Sequence, residues 1–554
     1  MANQRDAGND ERRLREAIAA APHDAALHVR LGHLLFEKSD LTGAVHAYQT
    51  AAGLNPGDWQ TFYNLGVSLA RLGHVTDALV AQRWALALNP SSPEALTQAG
   101  LLLHKTGDNS GALDLLDRAV ASAPGLFEAH YYRGVVLASE ERIAEAATAQ
   151  ASAVSAVPSR FEGHLALGKL LTRLGREDEA LAAYRRAVEC NPAALEAHQE
   201  FNNLAWELGR DVRELGSYAF ARTRLGDMPQ LLLAEAELLL RFRDAAQAAK
   251  AEALLARAGE GAPVASTRGR ALLLQSRFAE AAVQFDRAIA AEPLSITHRQ
   301  DLAMTLLRDR DGAGARRVLD EALTMAPQNQ LTLGLLTLAA RKQDDQAWLS
   351  RMVVVDWAQE ITPPVPPGFA DMAAFNTALG EELMGLHTRT AAPMEQSLNR
   401  GSQTPGNLFA RKSRLLSLLE ESLRRAIADY IAGLPQDAGH PFLARKSGAF
   451  DFSGSWSCRL NSSGYHTNHV HTKGWISSAY YVDLPPAVAA GEGNQGALKF
   501  GESPFGLGDD DRPSRIVTPA VGKLVLFPSY FWHGTVRFMA DRPRLTVAFD
   551  VVPR

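Results

Sequence analysis

The chain has 554 residues, with 57 Lys and Arg against 62 Asp and Glu and a formal charge of -5; it is too long for one ordinary core, and no global basic excess advertises nucleic acid or an anionic membrane. Its two cysteines, Cys190 and Cys458, are too few for a disulfide framework or a cysteine zinc site and suit a reducing compartment. The opening stretch MANQRDAGNDERRLREAIAAAP mixes acids and bases before any apolar run, unlike a secretory signal, and no run approaches the roughly 18 apolar residues of a membrane helix, so a cytoplasmic protein without membrane or nucleic-acid partners is expected.

From the N-terminus the clearest signal is a repeat. Pro22, Pro56, Pro90, Pro124, Pro158 and Pro192 recur every 34 residues, as do Gly32, Gly66, Gly100, Gly134 and Gly168. Ala44, Ala78, Ala112, Ala146 and Ala180 keep the same step, and Ala51, Ala85, Ala119, Ala153 and Ala187 make a fourth register. Small residues such as Gly32 and Ala44 let two antiparallel helices approach closely, and each proline ends one unit because it cannot continue a helix. Leucines at helical spacing, as in LHVRLGHLLF, supply the buried stripe. The pattern resembles the tetratricopeptide repeat, which implies helix-turn-helix units stacked into a solenoid with a surface that takes peptides or proteins. Residues 1–192 are expected to hold a short N-terminal helix and five regular repeats.

The period falters after Pro192 and returns at Gly269, Ala281, Ala288 and Pro293, then at Ala303, Ala315, Ala322 and Pro327. Degenerate and regular helical pairs continuing the solenoid are expected over 193–345. The prolines of ITPPVPPGFADMAAFN then suggest a linker at 346–368. Within 369–554, RKSRLLSLLEESLRRAIADYIAGL has helical spacing with Gly433 near its end. WISSAYYVDLP, GALKFGE, GKLVLFPSY and RLTVAFDVV are short, aromatic or β-branched runs bounded by Gly or Pro, and predict an antiparallel sandwich or barrel.

The stretch NHVH carries the candidate chemistry. On an extended strand His469 and His471 share a face and can meet one ion, with His466 pointing the other way. His533 ends the apolar strand of GKLVLFPSYFWHGT, and Arg544 and Thr546 share a face of RLTVAFD. A guanidinium in an apolar strand calls for an anionic partner, of which a bidentate carboxylate is a natural example. Trp456, Trp475 and Trp532 read as core or cleft-wall aromatics, and GEGNQG as a turn.

Together QSLNRGSQT at 396–404, NHVH before SSAYYVDLP, GALKF, GKLVLFPSYFWHGT and RLTVAF, in this order, resemble the Fe(II)- and 2-oxoglutarate-dependent oxygenases, especially the bacterial group fused to tetratricopeptide repeats. The resemblance implies a multidomain protein: an all-α repeat solenoid, then a mainly-β double-stranded β-helix, or jelly roll, with flanking helices. It implies that His469 and His533 hold iron, that Arg544 binds the distal carboxylate of 2-oxoglutarate with Thr546 beside it, and that Tyr481 is a further candidate for that carboxylate. Iron, 2-oxoglutarate and dioxygen would then hydroxylate a substrate, a protein or peptide if the repeats recruit it.

One position departs from the family's pattern: His471 stands where a carboxylate is usual. With three neutral imidazoles the metal and its ligands carry a formal +2 instead of +1, which iron tolerates. His471 has three readings: a third ligand, a residue orienting His469 or a water on the metal, or a structural residue of an inactive site. Two whole-protein alternatives follow, a scaffold whose β domain has lost catalysis and a three-histidine dioxygenase without 2-oxoglutarate. Oligomeric state is left open.

Overall fold

The computed structural model describes residues 2–388, 397–404, 406–411, 413–508 and 511–554. The chain divides into two compact units, Met1–Phe201 and Asn202–Arg554. Among the described residues no helix is long and apolar enough to cross a membrane.

In the first unit, the helix Ala2–Ala20 precedes five helical hairpins, from Ala25–Glu37 with Leu41–Leu54 to Phe161–Arg173 with Glu177–Cys190. Many helix starts are capped as the sequence dictates: the side chains of Asp24, Asp40, Asp58, Ser92 and Asp108 each accept from a backbone N–H of the first turn. Both alanine registers are fully buried where paired helices meet. The glycine register is a close approach: a Cβ on Gly32 would stand 2.6 Å from Tyr48 Cε1, and one on Gly168 2.5 Å from Tyr184 Cε1. A recurring histidine ties the proline turns to the next helix, with ring Nε2 at 3.0 Å from Pro22 O for His28, 2.9 Å from Pro124 O for His130 and 2.9 Å from Pro158 O for His164.

The second unit begins where the period fails, with short helices Val212–Leu215 and Ser217–Leu225 around left-handed Gly216. Regular hairpins then resume up to Ile296–Arg308 with Gly312–Met325, followed by the last repeat helix, Gln330–Lys342, and a short helix, Gln346–Met352. Among the described residues the β domain has nine strands: β1 Gln359–Ile361, β2 Leu398–Gln403, β3 Phe450–His466, β4 Ile476–Asp483, β5 Leu498–Phe500, β6 Arg515–Val517, β7 Leu524–Pro528, β8 His533–Thr535 and β9 Arg544–Pro553. They form two antiparallel sheets, a six-stranded one ordered β1-β7-β4-β9-β3-β2 and a three-stranded one ordered β6-β5-β8. The long pairing of β3 with β9 sets Leu460 opposite Arg544 and Cys458 opposite Thr546, while β4 sets Tyr481 opposite Thr546 and Ser477 opposite Asp550. The helices Met372–Gly385 and Arg414–Gly433 add Phe375, Leu379, Leu423 and Ile427 to the core.

The segment 346–368 differs from the expected linker. Its β1 pairs with β7, Trp357 is buried in the core, and Met352 O accepts from Tyr530 Oη at 2.6 Å. The clustered prolines, Pro363, Pro364, Pro366 and Pro367, lie just beyond β1, so they mark where the chain leaves the edge strand and do not prevent Gln346–Met352 from being helix or Gln359–Ile361 from pairing.

The last repeat helix, Gln330–Lys342, packs on the β-domain loops. Gly334 O accepts from Trp532 Nε1 at 2.7 Å, and Lys342 Nζ donates to Leu507 O at 2.6 Å. A Cβ on Gly334 would stand 3.0 Å from Val470 Cγ1 and 3.1 Å from Tyr530 O. Because one of those neighbours is backbone, Gly334→Val is expected to destabilise the second unit by about 1–3 kcal/mol through overpacking. Denaturant unfolding followed by tryptophan fluorescence checks this, and an unchanged midpoint would show that the contact has slack.

Candidate metal centre

β3 ends at His466, and the chain leaves regular strand before His469 forms an isolated antiparallel bridge with His533. The backbone N–H of each donates to the carbonyl of the other, at 2.9 and 3.0 Å, and His471 N donates to Ser529 O at 2.9 Å. This zipper brings NHVH against β8. The ring centroids of His469 and His533 lie 4.3 Å apart, and His471 is 5.0 Å from each of them. One nitrogen from each ring falls within 4.8 Å of the other two.

The hydrogen bonds around the rings fix their tautomers. His469 Nδ1 faces Thr467 O at 2.8 Å, His533 Nδ1 faces Phe531 O at 2.9 Å, and His471 Nδ1 faces Asp550 Oδ1 at 2.5 Å. Carbonyls and carboxylates only accept, so each Nδ1 carries a proton and Nε2 is the nitrogen each ring has left for the cluster. His469 Nε2 and His471 Nε2 are 3.1 Å apart, and Ser397 Oγ lies 3.4 Å from His469 Nε2. A cation at this point would meet all three rings, and three imidazole nitrogens suit iron or another first-row metal. The residues present therefore fit a bound metal.

The rings line a cavity of about 320 Å³ together with Gln403, Trp456, Cys458, Phe527, Arg544 and Thr546. Arg544 is 3% exposed, and its Nε has no hydrogen-bond partner. Among the described residues no carboxylate lies within ion-pair reach of it. Its Cζ lies 5.1 Å from the centre of the Tyr481 ring, whose buried hydroxyl also lacks a hydrogen bond of good geometry. Among the described residues Thr546 Oγ1 reaches only Cys458 O, at 3.5 Å. An uncompensated buried guanidinium beside open polar groups suits an anionic guest.

His466 does not point away as strand alternation predicts. It shares the cavity wall because the strand stops there, and its Nδ1 lies 3.1 Å from Ser397 Oγ. Of the QSLNRGSQT stretch, Gln403 reaches the cavity, Arg400 is exposed, and Gln396 lies outside the described residues. Trp456 is on the cavity wall, Trp475 is fully buried, and Trp532 packs on the last repeat helix. Sequence reasoning missed Asp550. The signal was present, because Asp550 lies on the face that alternation assigns to Arg544 and Thr546.

Comparison with protein families agrees with this site. The family described as "Putative 2OG-Fe(II) oxygenase" matches residues 454–550, which include all three clustered histidines, Tyr481, Arg544, Thr546 and Asp550. Tetratricopeptide-repeat families match 11–58, 63–127, 107–161, 161–194 and 266–330. The chain joins a tetratricopeptide-repeat array to a 2OG-Fe(II) oxygenase-family domain. A search of curated proteins finds no match. Similar solved structures include MamA from Desulfovibrio magneticus RS-1, at 24% identity over 31% of this chain and 96% of that one, with TM-score 0.28. A thermophilic TPR protein of Thermus thermophilus is 25% identical over 33% of this chain and 99% of its own, with TM-score 0.29. Yeast Tom70 is 14% identical over 64% of this chain and 95% of its own, with TM-score 0.32.

In the oxygenase-family domain the histidines touch the cavity yet are surrounded by protein. Burial, with His471 close by, pushes His469 down to about 3, and burial chiefly holds His533 and His466 well below the ordinary histidine value. The folded protein thus keeps these rings neutral, while the unfolded chain protonates each near pH 6.5. Between about pH 3 and 6.5 the unfolded state binds more protons, so stability falls as pH drops through that window and is fully present above it. The metal-free protein is expected to lose on the order of 1 kcal/mol per pH unit per ring below pH 6.5, with a shallower slope in His469→Asn. Urea unfolding between pH 7 and 5 measures both slopes, and equal slopes would mean that His469 is solvated in the folded state.

Proposed function

We propose that the C-terminal domain is an Fe(II)- and 2-oxoglutarate-dependent dioxygenase that hydroxylates a protein or peptide recruited by the repeats. The observation that carries this reading is the pairing, in one cavity, of three converging imidazole nitrogens with a buried arginine that has no carboxylate partner among the described residues. In this reading His469, His471 and His533 hold the metal, and bound iron with 2-oxoglutarate supplies the oxidation of a C–H bond. Arg544 binds the distal carboxylate of the cosubstrate, with Thr546 and Tyr481 offering hydroxyls beside it. Phe527, Leu498 and Ala548 give the cavity apolar wall, which limits water around the reacting centre. The cavity volume, about 320 Å³, is of the size that takes a small dianion and a single substrate side chain. A three-histidine dioxygenase working without a cosubstrate would have no use for the buried cation.

The protein or peptide substrate rests on architecture. Repeat arrays expose extended surfaces that bind chains, and the final repeat helix packs directly on Val470 and Trp532, the neighbours of the three histidines.

Anaerobic addition of Fe(II) and then 2-oxoglutarate is expected to produce a visible charge-transfer band, absent in His469→Ala. Arg544→Ala is expected to weaken 2-oxoglutarate binding roughly 30-fold or more, the consequence of removing one partner of a buried charge pair, while leaving Fe(II) affinity nearly unchanged. No band from folded wild-type protein would count against the oxygenase and favour a scaffold. Equal 2-oxoglutarate affinity in Arg544→Ala would remove that residue's role.

A further inference from the structure

The three histidines differ in what holds them from outside. His469 and His533 each face a backbone carbonyl two residues back, a neutral acceptor, whereas His471 faces the carboxylate of Asp550. Asp550 is 8% exposed and takes a second hydrogen bond from Ser477 Oγ at 2.7 Å, which in turn lies 2.8 Å from Ser529 Oγ. Gly474 makes room for this cluster: a Cβ there would collide with Ser529 Oγ and stand 3.2 Å from Asp550 Cγ. Among the described residues no lysine or arginine pairs with Asp550; the basic group beside it is the His471 ring, with Nδ1 at 2.5 Å. A buried carboxylate is costly without positive charge nearby, and a cation on the far side of the His471 ring, where the three Nε2 atoms meet, would supply it.

We propose that Asp550 positions His471 and returns to the metal centre the negative charge that a carboxylate ligand would otherwise bring. The inference rests on the metal-binding reading above. Asp550 accepts from Nδ1–H, which fixes the ring and leaves Nε2 aimed at the centre, and it makes the imidazole a stronger donor, as carboxylate partners of metal-bound histidines do. Three neutral imidazoles around a divalent ion sum to a formal +2; Asp550, one ring away, brings the assembly to +1, the charge of a site with two histidines and a carboxylate. The acid is displaced outward rather than lost.

The test is a titration of the metal-free full chain with Co(II), reading affinity by chelator competition and the visible ligand-field bands. Asp550→Asn keeps size and a hydrogen-bond acceptor but loses the charge, and is expected to bind Co(II) about 10–100-fold more weakly, with shifted bands. The decisive arm is the same change in His471→Asp. There a carboxylate faces Asp550 directly, so the charge of Asp550 becomes a liability, and His471→Asp/Asp550→Asn is expected to bind more tightly than His471→Asp alone. A merely structural Asp550 would weaken both backgrounds alike, and that result, or unchanged Co(II) affinity in Asp550→Asn, overturns the proposal. Should Asp550→Asn fail to fold, Ser477→Ala leaves the charge and removes one anchor; a loss of roughly twofold to tenfold supports the role, and none overturns it. Wild-type protein that binds no Co(II) overturns the metal centre itself, whereas tight wild-type binding with an indifferent Asp550→Asn overturns the assignment of Asp550 alone.

Discussion

In this site each of three imidazoles directs an Nδ1 proton outward. Thr467 O, Phe531 O and Asp550 Oδ1 accept those protons, so His469, His471 and His533 bring their Nε2 atoms to one point. Much of the surrounding structure maintains this arrangement: the reciprocal bridge between His469 and His533, the bond from His471 N to Ser529 O, and the burial that keeps His469 and His533 neutral.

β9 serves both ends of the cavity. Its pleat puts Arg544, Thr546, Ala548 and Asp550 on one face; β3 and β4 pair with its two edges, and Arg544, Thr546 and Asp550 are buried. The strand thereby holds a buried cation, Arg544, with no carboxylate in ion-pair reach among the described residues, and a buried carboxylate, Asp550, beside His471. Opposite charges on one strand face, separated along its length, give the cavity a direction.

The repeat helix Gln330–Lys342 is part of the site's foundation. Gly334 brings its backbone against Val470, the residue between His469 and His471, and accepts the indole proton of Trp532, the residue before His533. The two segments that carry His469, His471 and His533 are therefore packed by the same helical turn. In the physical sense of close packing, disturbance of that helix reaches the histidines without crossing solvent.

Much was legible in the sequence because it depends on local rules. The 34-residue registers exist because Gly32 and Ala44, with their counterparts, face the same helix-helix contact in every repeat, and the strands are visible because β-branched runs end at Gly and Pro. The face shared by Arg544 and Thr546 followed from strand alternation. What was missed crosses the fold. The strand at 359–361 depends on β7 to pair with, His466 turned inward because β3 stops at it, and Asp550 joins His471 only through the β4–β9 register. The sequence by itself determined the repeat solenoid, the β-rich domain and the identity of the residues able to bind a metal and an anion, since periodicity and side-chain chemistry are properties of the chain. The tertiary structure alone brings His469, His471 and His533 together and sets the carboxylate of Asp550 behind His471. Those facts are set by sheet register and by the burial of charge, which act between residues far apart in sequence.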